Sequence, residues 1–335
     1  MPKTKPREKG KTLPKISELD SRILKILLKD GRTGYDSIAR ECGEPENKIW
    51  KRSKAMEKKG IIKGATVQMN FGFFGYAALA TMLISVEAQQ MEQVMGVIEK
   101  ITEVRAYRQY NSVYNVRAVT TLGDLNELDH VKQLIKRNLP TLGIKTYIWA
   151  GVRNIPENLN LTRDSKKSPE KPSQTIPKIS NKIKIDDIDR QIVQKLTLNG
   201  RASFSTIAKE IGLSTDTVVK RYHKLQENGA IKVSIQINPN MVGYNSILDF
   251  NIASAASCSL TGTVIDSLAT IPDVIIITKT SGDFDLHAAA MIRDIAHSFD
   301  IQDQITKVCG MTKIEASARK IPDRWPTPQQ HISTF

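Results

Sequence analysis

One offset constrains this chain more than any property of its composition. Sliding the 335-residue sequence by 169 positions lays Asp20 on Asp189, Ile23 on Ile192 and Leu27 on Leu196 without a gap. The same offset carries Gly31-Arg32 onto Gly200-Arg201, Ile38-Ala39 onto Ile207-Ala208 and Glu41 onto Glu210. It continues through Gly43 and Gly212, Lys51-Arg52 and Lys220-Arg221, Gly60 and Gly229, and ends with Ile62-Lys63 on Ile231-Lys232. An ungapped match of that extent marks a duplication, so the chain is expected to fold as two like units rather than around one core.

Each unit opens on helical spacing. In the second copy Ile188, Ile192 and Leu196 mark a helix that stops before Asn199-Gly200. Phe204, Ile207, Ala208 and Ile211 mark a shorter one closed by Gly212. Ser214 is placed to cap a third, on which Val218, Tyr222 and Leu225 share the core face. After these helices come strand-like and helical stretches in the order β-α-β-β-α-β, a ferredoxin-like sandwich. In the first copy they are Ala77–Glu87, Gln90–Ile101, Val104–Tyr110, Val113–Thr121, Leu125–Leu139 and Ile144–Val152. In the second they are Ile247–Ala253, Leu260–Ala269, Val274–Thr280, Leu286–Ile292, Asp294–Lys307 and Thr312–Ala318.

The expected class is α+β: two repeats of a winged-helix-like helix-turn-helix domain followed by a ferredoxin-like sandwich. The expected division is a basic tail at 1–15, helix-turn-helix 1 at 16–63 and sensing and assembly domain 1 at 64–162. A Lys-, Ser- and Pro-rich linker at 163–184 leads to helix-turn-helix 2 at 185–232, sensing and assembly domain 2 at 233–320 and a C-terminal tail at 321–335.

Charge is partitioned along these divisions. The formal net charge is +14, and the tail, the linker and residues 19–63 each contribute +5, while residues 188–232 contribute +4. Everything else is mildly acidic. Particular pieces, rather than the whole surface, are therefore built to meet a polyanion. On the third helix of the second copy, Ser214, Thr215, Thr217, Lys220, Arg221 and Lys224 lie off the core face and are expected to meet the major groove. In the first copy Lys48, Lys51, Arg52 and Lys54 supply the corresponding basic surface. The expected partner is double-stranded DNA.

Ile188-Asp189-Arg190-Gln191-Ile192, Asn199-Gly200-Arg201 and Ile207-Ala208-Lys209-Glu210-Ile211-Gly212-Leu213-Ser214, continuing to Gly229-Ala230-Ile231, closely resemble the DNA-binding domain of the leucine-responsive/asparagine (Lrp/AsnC) regulator family. The sandwich that follows resembles that family's ligand-binding and oligomerisation domain. The resemblance covers nearly the whole chain twice, and family members ordinarily carry one such pair and dimerise. It implies a homo-oligomer, or a single chain that equals one conventional dimer. It also implies that Gly282, Asp283 and Asp285, in the turn between the two central strands of the second sandwich, bind an amino-acid-like effector. The first copy departs from the pattern: Glu44-Pro45-Glu46 replaces Leu213-Ser214-Thr215, and Asn111-Ser112-Val113-Tyr114-Asn115 stands where the Gly-Asp turn should be.

Other function classes are weaker. Cys42, Cys258 and Cys309 are far apart and the histidines are scattered, so no disulfide framework, zinc site or other metal site is expected. No phosphate-binding loop, catalytic constellation or cofactor motif is present, and no apolar run reaches membrane-spanning length. The expected location is the cytoplasm, on the nucleoid. Two alternatives remain: an architectural, chromatin-like DNA-binding protein, and an enzyme like the sirohaem decarboxylases. Those enzymes resemble the family in fold and work as unlike halves; Tyr107-Arg108-Gln109-Tyr110 with Tyr114-Asn115-Val116 is faintly similar to their substrate strands, and His287 is the residue to nominate as an acid.

Overall fold

The computed structural model describes residues 13–101, 104–138, 141–162, 183–254, 262–308 and 310–328. The basic tail, apart from its last three residues, and nearly all of the 163–184 linker lie outside the described residues.

Each unit starts with three helices: α1 Glu18–Lys29, α2 Tyr35–Cys42 and α3 Glu46–Lys58, then α6 Asp187–Leu198, α7 Phe204–Ile211 and α8 Thr215–Glu227. Their ends are written into the sequence. Ser17 with Asp20, and Asp186 with Asp189, form capping boxes that satisfy the first free amides of α1 and α6. Gly43 and Gly212 end α2 and α7 at positive φ, where any side chain would be strained. Ile23, Leu27, Ile38 and Ile49 bury in one core, and Ile192, Leu196, Ile207 and Val218 in another.

Next come β1 Ile62–Met69 in the first unit and β6 Ile231–Ile237 in the second. They pair antiparallel with each other, with Val67 opposite Val233. The domain boundaries expected at 63/64 and 232/233 therefore fall inside strands. Each strand finds its partner in the other repeat, so no pattern within one copy could reveal its length.

The first sandwich contains β2 Ala78–Val86, α4 Met91–Ile98, β3 Val104–Tyr110, β4 Val116–Leu122, α5 Glu127–Asn138 and β5 Thr141–Asn154. The second contains β7 Ser246–Ser254, α9 Gly262–Ala269, β8 Val274–Ser281, β9 Leu286–Ile292, α10 Ile295–Thr306 and β10 Met311–Lys320. The order β-α-β-β-α-β is as expected in both, with ends displaced by a few residues. The two sheets join edge to edge through β5–β8 and β10–β3, giving a closed barrel β10-β3-β4-β2-β5-β8-β9-β7. Closure pairs every barrel strand on both sides, although β10 and β3 meet over only two residue pairs. Helices α4 and α5 cover one outer face, and α9 and α10 the other. The repeats thus pair within one chain.

The C-terminal segment is also corrected. Residues 321–328 are not a tail but a strap laid across from β10 to the β1–β6 ribbon. Trp325 exchanges backbone hydrogen bonds of 2.8 and 2.9 Å with Ile237 and is 3% exposed. Gln236 Nε2 donates to Pro326 O at 2.9 Å. A short apolar segment whose partner lies far away in sequence carries no periodicity to announce it.

Candidate nucleic-acid interface

Helix α8 is built as its sequence requires. Ser214 Oγ accepts from Thr217 N at 3.2 Å, while Val218, Tyr222 and Leu225 are buried. Ser214, Thr215, Lys220 and Lys224 are exposed on the opposite side, and Thr217 is half-buried with its hydroxyl 2.8 Å from Ser214 Oγ. Neither Lys220 nor Lys224 forms an ion pair among the described residues. In α3, Lys48, Lys51 and Lys54 are exposed, but Lys48 is held by Glu44 at 2.8 Å and Lys54 by Glu57 at 2.7 Å. The cap at Pro45 supplies no side-chain hydrogen bond. Trp50, at the position of Val219, is 47% exposed on α3, a large aromatic on a recognition helix that the charge pattern did not single out.

The two arginines expected in the groove face elsewhere. Arg221 Nη1 donates to Asp186 at 2.7 Å and to Asp189 Oδ1 at 2.9 Å, and Asp189 is 1% exposed. Arg52 Nε donates to Asp20 Oδ1 at 2.8 Å and its Nη2 to Ser17 Oγ at 3.0 Å. Burial alone would raise the Asp20 carboxyl, but the Arg52 and Ser17 hydrogen bonds outweigh it and hold it below its ordinary value. The backbone amide of Asp189, then Arg221, lowers Asp186 likewise. Each arginine locks the recognition helix to the first helix of its own module. The identity of Arg52 and Arg221 across the repeat goes with that lock, which both modules make.

Another repeated pair does more than the sequence indicated. Arg32 reaches across to the second module, where its Nε donates to Gly200 O at 3.0 Å and its Nη2 to Ala202 O. Its guanidinium lies 4.2 Å from the Phe204 ring centroid. Reciprocally, Arg201 Nε donates to Gly31 O at 2.6 Å. The glycines are required because the ribbon runs against them. A Cβ on Gly31 would stand 2.8 Å from Ser234 C, and one on Gly200 2.8 Å from Thr66 N. This clasp and the β1–β6 ribbon hold α3 and α8 in one rigid frame.

The residues of the Gly-Asp turn also have partners within the chain. Asp285 Oδ2 accepts from the N and Oγ of Ser254, both at 2.8 Å. In the first copy Asn115 ties itself to the N and O of Val86 in the same way. The position is a brace between a hairpin and the end of its neighbouring strand, present even where the turn has lost Gly-Asp. Exposed Asp283 pairs with Lys145 of the other half at 2.8 Å. Gly282 takes φ +137° beneath the Tyr147 ring.

The AsnC-type helix-turn-helix profile matches residues 185–226, and a winged helix-turn-helix DNA-binding profile matches residues 16–63. An uncharacterised HTH-type transcriptional regulator of Pyrococcus abyssi is 31% identical over 148 residues, covering 44% of this chain and 92% of that one. The chain belongs to the Lrp/AsnC family of transcription regulators. The HTH-type transcriptional regulator FL11 of Pyrococcus furiosus is 33% identical over 103 residues, 30% of this chain and 67% of its own. The Pyrococcus abyssi relative is thus about one repeat long. Over the whole chain the fold is like that of the crystal structure of the sirohaem decarboxylase NirDL. The TM-score is 0.60 at 15% identity, covering 95% of this chain and 94% of the other, a likeness of fold alone. Among the described residues no helix is long and apolar enough to cross a membrane.

Proposed function

We propose that this Lrp/AsnC regulator is a one-chain equivalent of a dimer. Its α3 and α8 enter major grooves of one double-stranded DNA site, and it acts in the cytoplasm on the nucleoid without being an enzyme. The observation that carries the reading is the clasp: Arg32 and Arg201 cross between modules and fix two exposed recognition surfaces in a single frame. Lys220, Lys224, Ser214 and Thr215 are the contacts proposed for the second module, with Lys51 and, beside their acidic neighbours, Lys48 and Lys54 for the first. Arg52 and Arg221 act indirectly, by holding each recognition helix at its angle.

A footprint of the full chain on selected genomic fragments tests this. Two half-sites separated by a constant helical spacing are expected, protected at the stoichiometry of one chain. Protection without any repeated spacing, together with equal affinity for random DNA across a salt titration, would favour the architectural reading instead.

A further inference from the structure

The inner face of the barrel encloses a cavity of about 550 Å³, a size suited to a small organic ligand. Its wall is unusual in charge. Arg117 is 4% exposed, and no carboxylate lies within 4.0 Å of it among the described residues; its Nη2 donates to Asn251 Oδ1 and its Nε to the Gln109 side-chain oxygen, each at 3.0 Å, and both acceptors are neutral. The one buried carboxylate in the wall, Asp249, is already shared. Arg319 Nε donates to its Oδ2 at 2.8 Å, and His287 Nε2 lies 3.1 Å from its Oδ1. One buried and one half-buried guanidinium group therefore face one carboxylate, with Arg105 and Lys320 adding positive charge at the rim. A buried cation without an anion of its own is destabilised, a cost that an incoming anion offsets. Around these charges the wall is aromatic, with Tyr107, Trp149, Phe71 and Tyr76.

The same cavity touches both DNA-binding modules. Trp325 of the strap lines it and belongs to the core of the first module. Phe71 and Tyr76 line it and pack against the core of the second.

We propose that the barrel interior is a binding site for an organic carboxylate with a flat apolar body. Arg117 is the anchor of its carboxylate, and occupancy is passed to both modules through Trp325 and the Phe71–Tyr76 pair. The effect on DNA rests on the regulator reading above; the binding site does not.

Calorimetry of the full chain with 2-naphthoate and its neutral partner 2-naphthamide tests the site. Naphthoate should bind at least about 10-fold tighter, because a carboxylate can form a paired contact with guanidinium that an amide cannot. In Arg117→Met that preference should vanish, and in Arg117→Lys it should partly return. Equal binding of the two probes, no binding of either at millimolar concentration, or a preference that survives Arg117→Met overturns the proposal. Should Arg117→Met fail to fold, the naphthoate–naphthamide difference in the unaltered chain decides the matter. DNA affinity measured with and without saturating naphthoate tests the coupling, which an unchanged affinity overturns. Failure of the ligand-free protein to bind any DNA would sink the regulator reading while leaving the calorimetry unaffected.

Discussion

The two halves share a backbone but differ in chemistry. In the barrel, Arg319 donates to Asp249 at 2.8 Å from β10 to β7. The corresponding crossing in the first half runs from β5 to β2, where Trp149 Nε1 donates to Thr81 Oγ1 at 2.9 Å. An ion pair and a neutral hydrogen bond thus occupy equivalent places. In the helix-turn-helix modules, the arginine lock is kept in both, but α8 has a serine cap and free lysines whereas α3 has a proline and lysines tied to Glu44 and Glu57. Duplication fixed the frame, and divergence then fell largely on groups that face solvent or the cavity. The retained arginine lock is structural, and the differing caps and cavity walls are where a division of function is to be sought.

The shared lock gives the largest expected effect. Asp20→Ala removes the only carboxylate of the Arg52 contact and half of a capping box, leaving Ser17 Oγ as that guanidinium's remaining partner. The cost should be about 2 kcal/mol, below that of a fully buried pair because the Arg52 side chain is 43% exposed, read from denaturant unfolding of the full chain. Asp189→Ala should cost about 1 kcal/mol less, since Arg221 keeps Asp186. Equal costs would mean that the two locks are equivalent after all. Because the folded-state pKa values of Asp20 and Asp186 are lowered, their contribution is present above the unfolded carboxylate values and is lost as pH falls. Asp20→Ala should therefore show a shallower loss of stability on acidification than the unaltered chain.

The lysines of the recognition helices come next. Lys220→Ala with Lys224→Ala should weaken DNA binding about 10-fold at moderate salt and lower the salt slope by about 2, one for each lost phosphate contact. Lys48→Ala with Lys54→Ala should do less, because each of those lysines already has a carboxylate beside it. Anisotropy titrations at several salt concentrations read both. A larger loss from the first-copy pair would reverse the assignment of the second module as the principal reader.

How much of this was legible in the sequence follows from the range of each interaction. Helix starts, glycine stops and the β-α-β-β-α-β order depend on residues a few positions apart, and Ser214, Gly43 and Gly212 showed them directly. The β1–β6 ribbon, the barrel closure and the Trp325 strap are contacts between repeats, and no local periodicity encodes a partner so far away. The Arg221 and Arg52 contacts to the first helix were hidden because a cation off the core face of a recognition helix looks free until the neighbouring helix is in place. The repeated Gly31-Arg32 and Gly200-Arg201 were visible as identities, but their crossing became clear only with the two modules side by side. The cavity was hidden for a related reason. Arg117, Asp249, His287 and Arg319 come from four strands in two repeats, and only the alternation of side chains on a closed barrel brings them to one face.

The smallest effect tests the comparison most directly, because it transfers one copy's chemistry to the other. Ser214 satisfies the Thr217 amide at the start of α8, so Ser214→Ala should cost about 1 kcal/mol. Pro45 already has the extended backbone of a cap, with φ −61° and ψ 140°, but offers no acceptor. Pro45→Ser places a hydroxyl where the first amides of α3 lack a side-chain partner, and it also frees the unfolded chain. The two terms oppose each other: the new cap adds up to about 1 kcal/mol, and the lost proline rigidity removes roughly half of that or more. A net stabilisation of a few tenths of a kcal/mol is expected. If Pro45→Ser destabilises the chain by about 1 kcal/mol instead, proline is a structural requirement of this module rather than a lost cap. The first copy would then have diverged by acquiring a constraint.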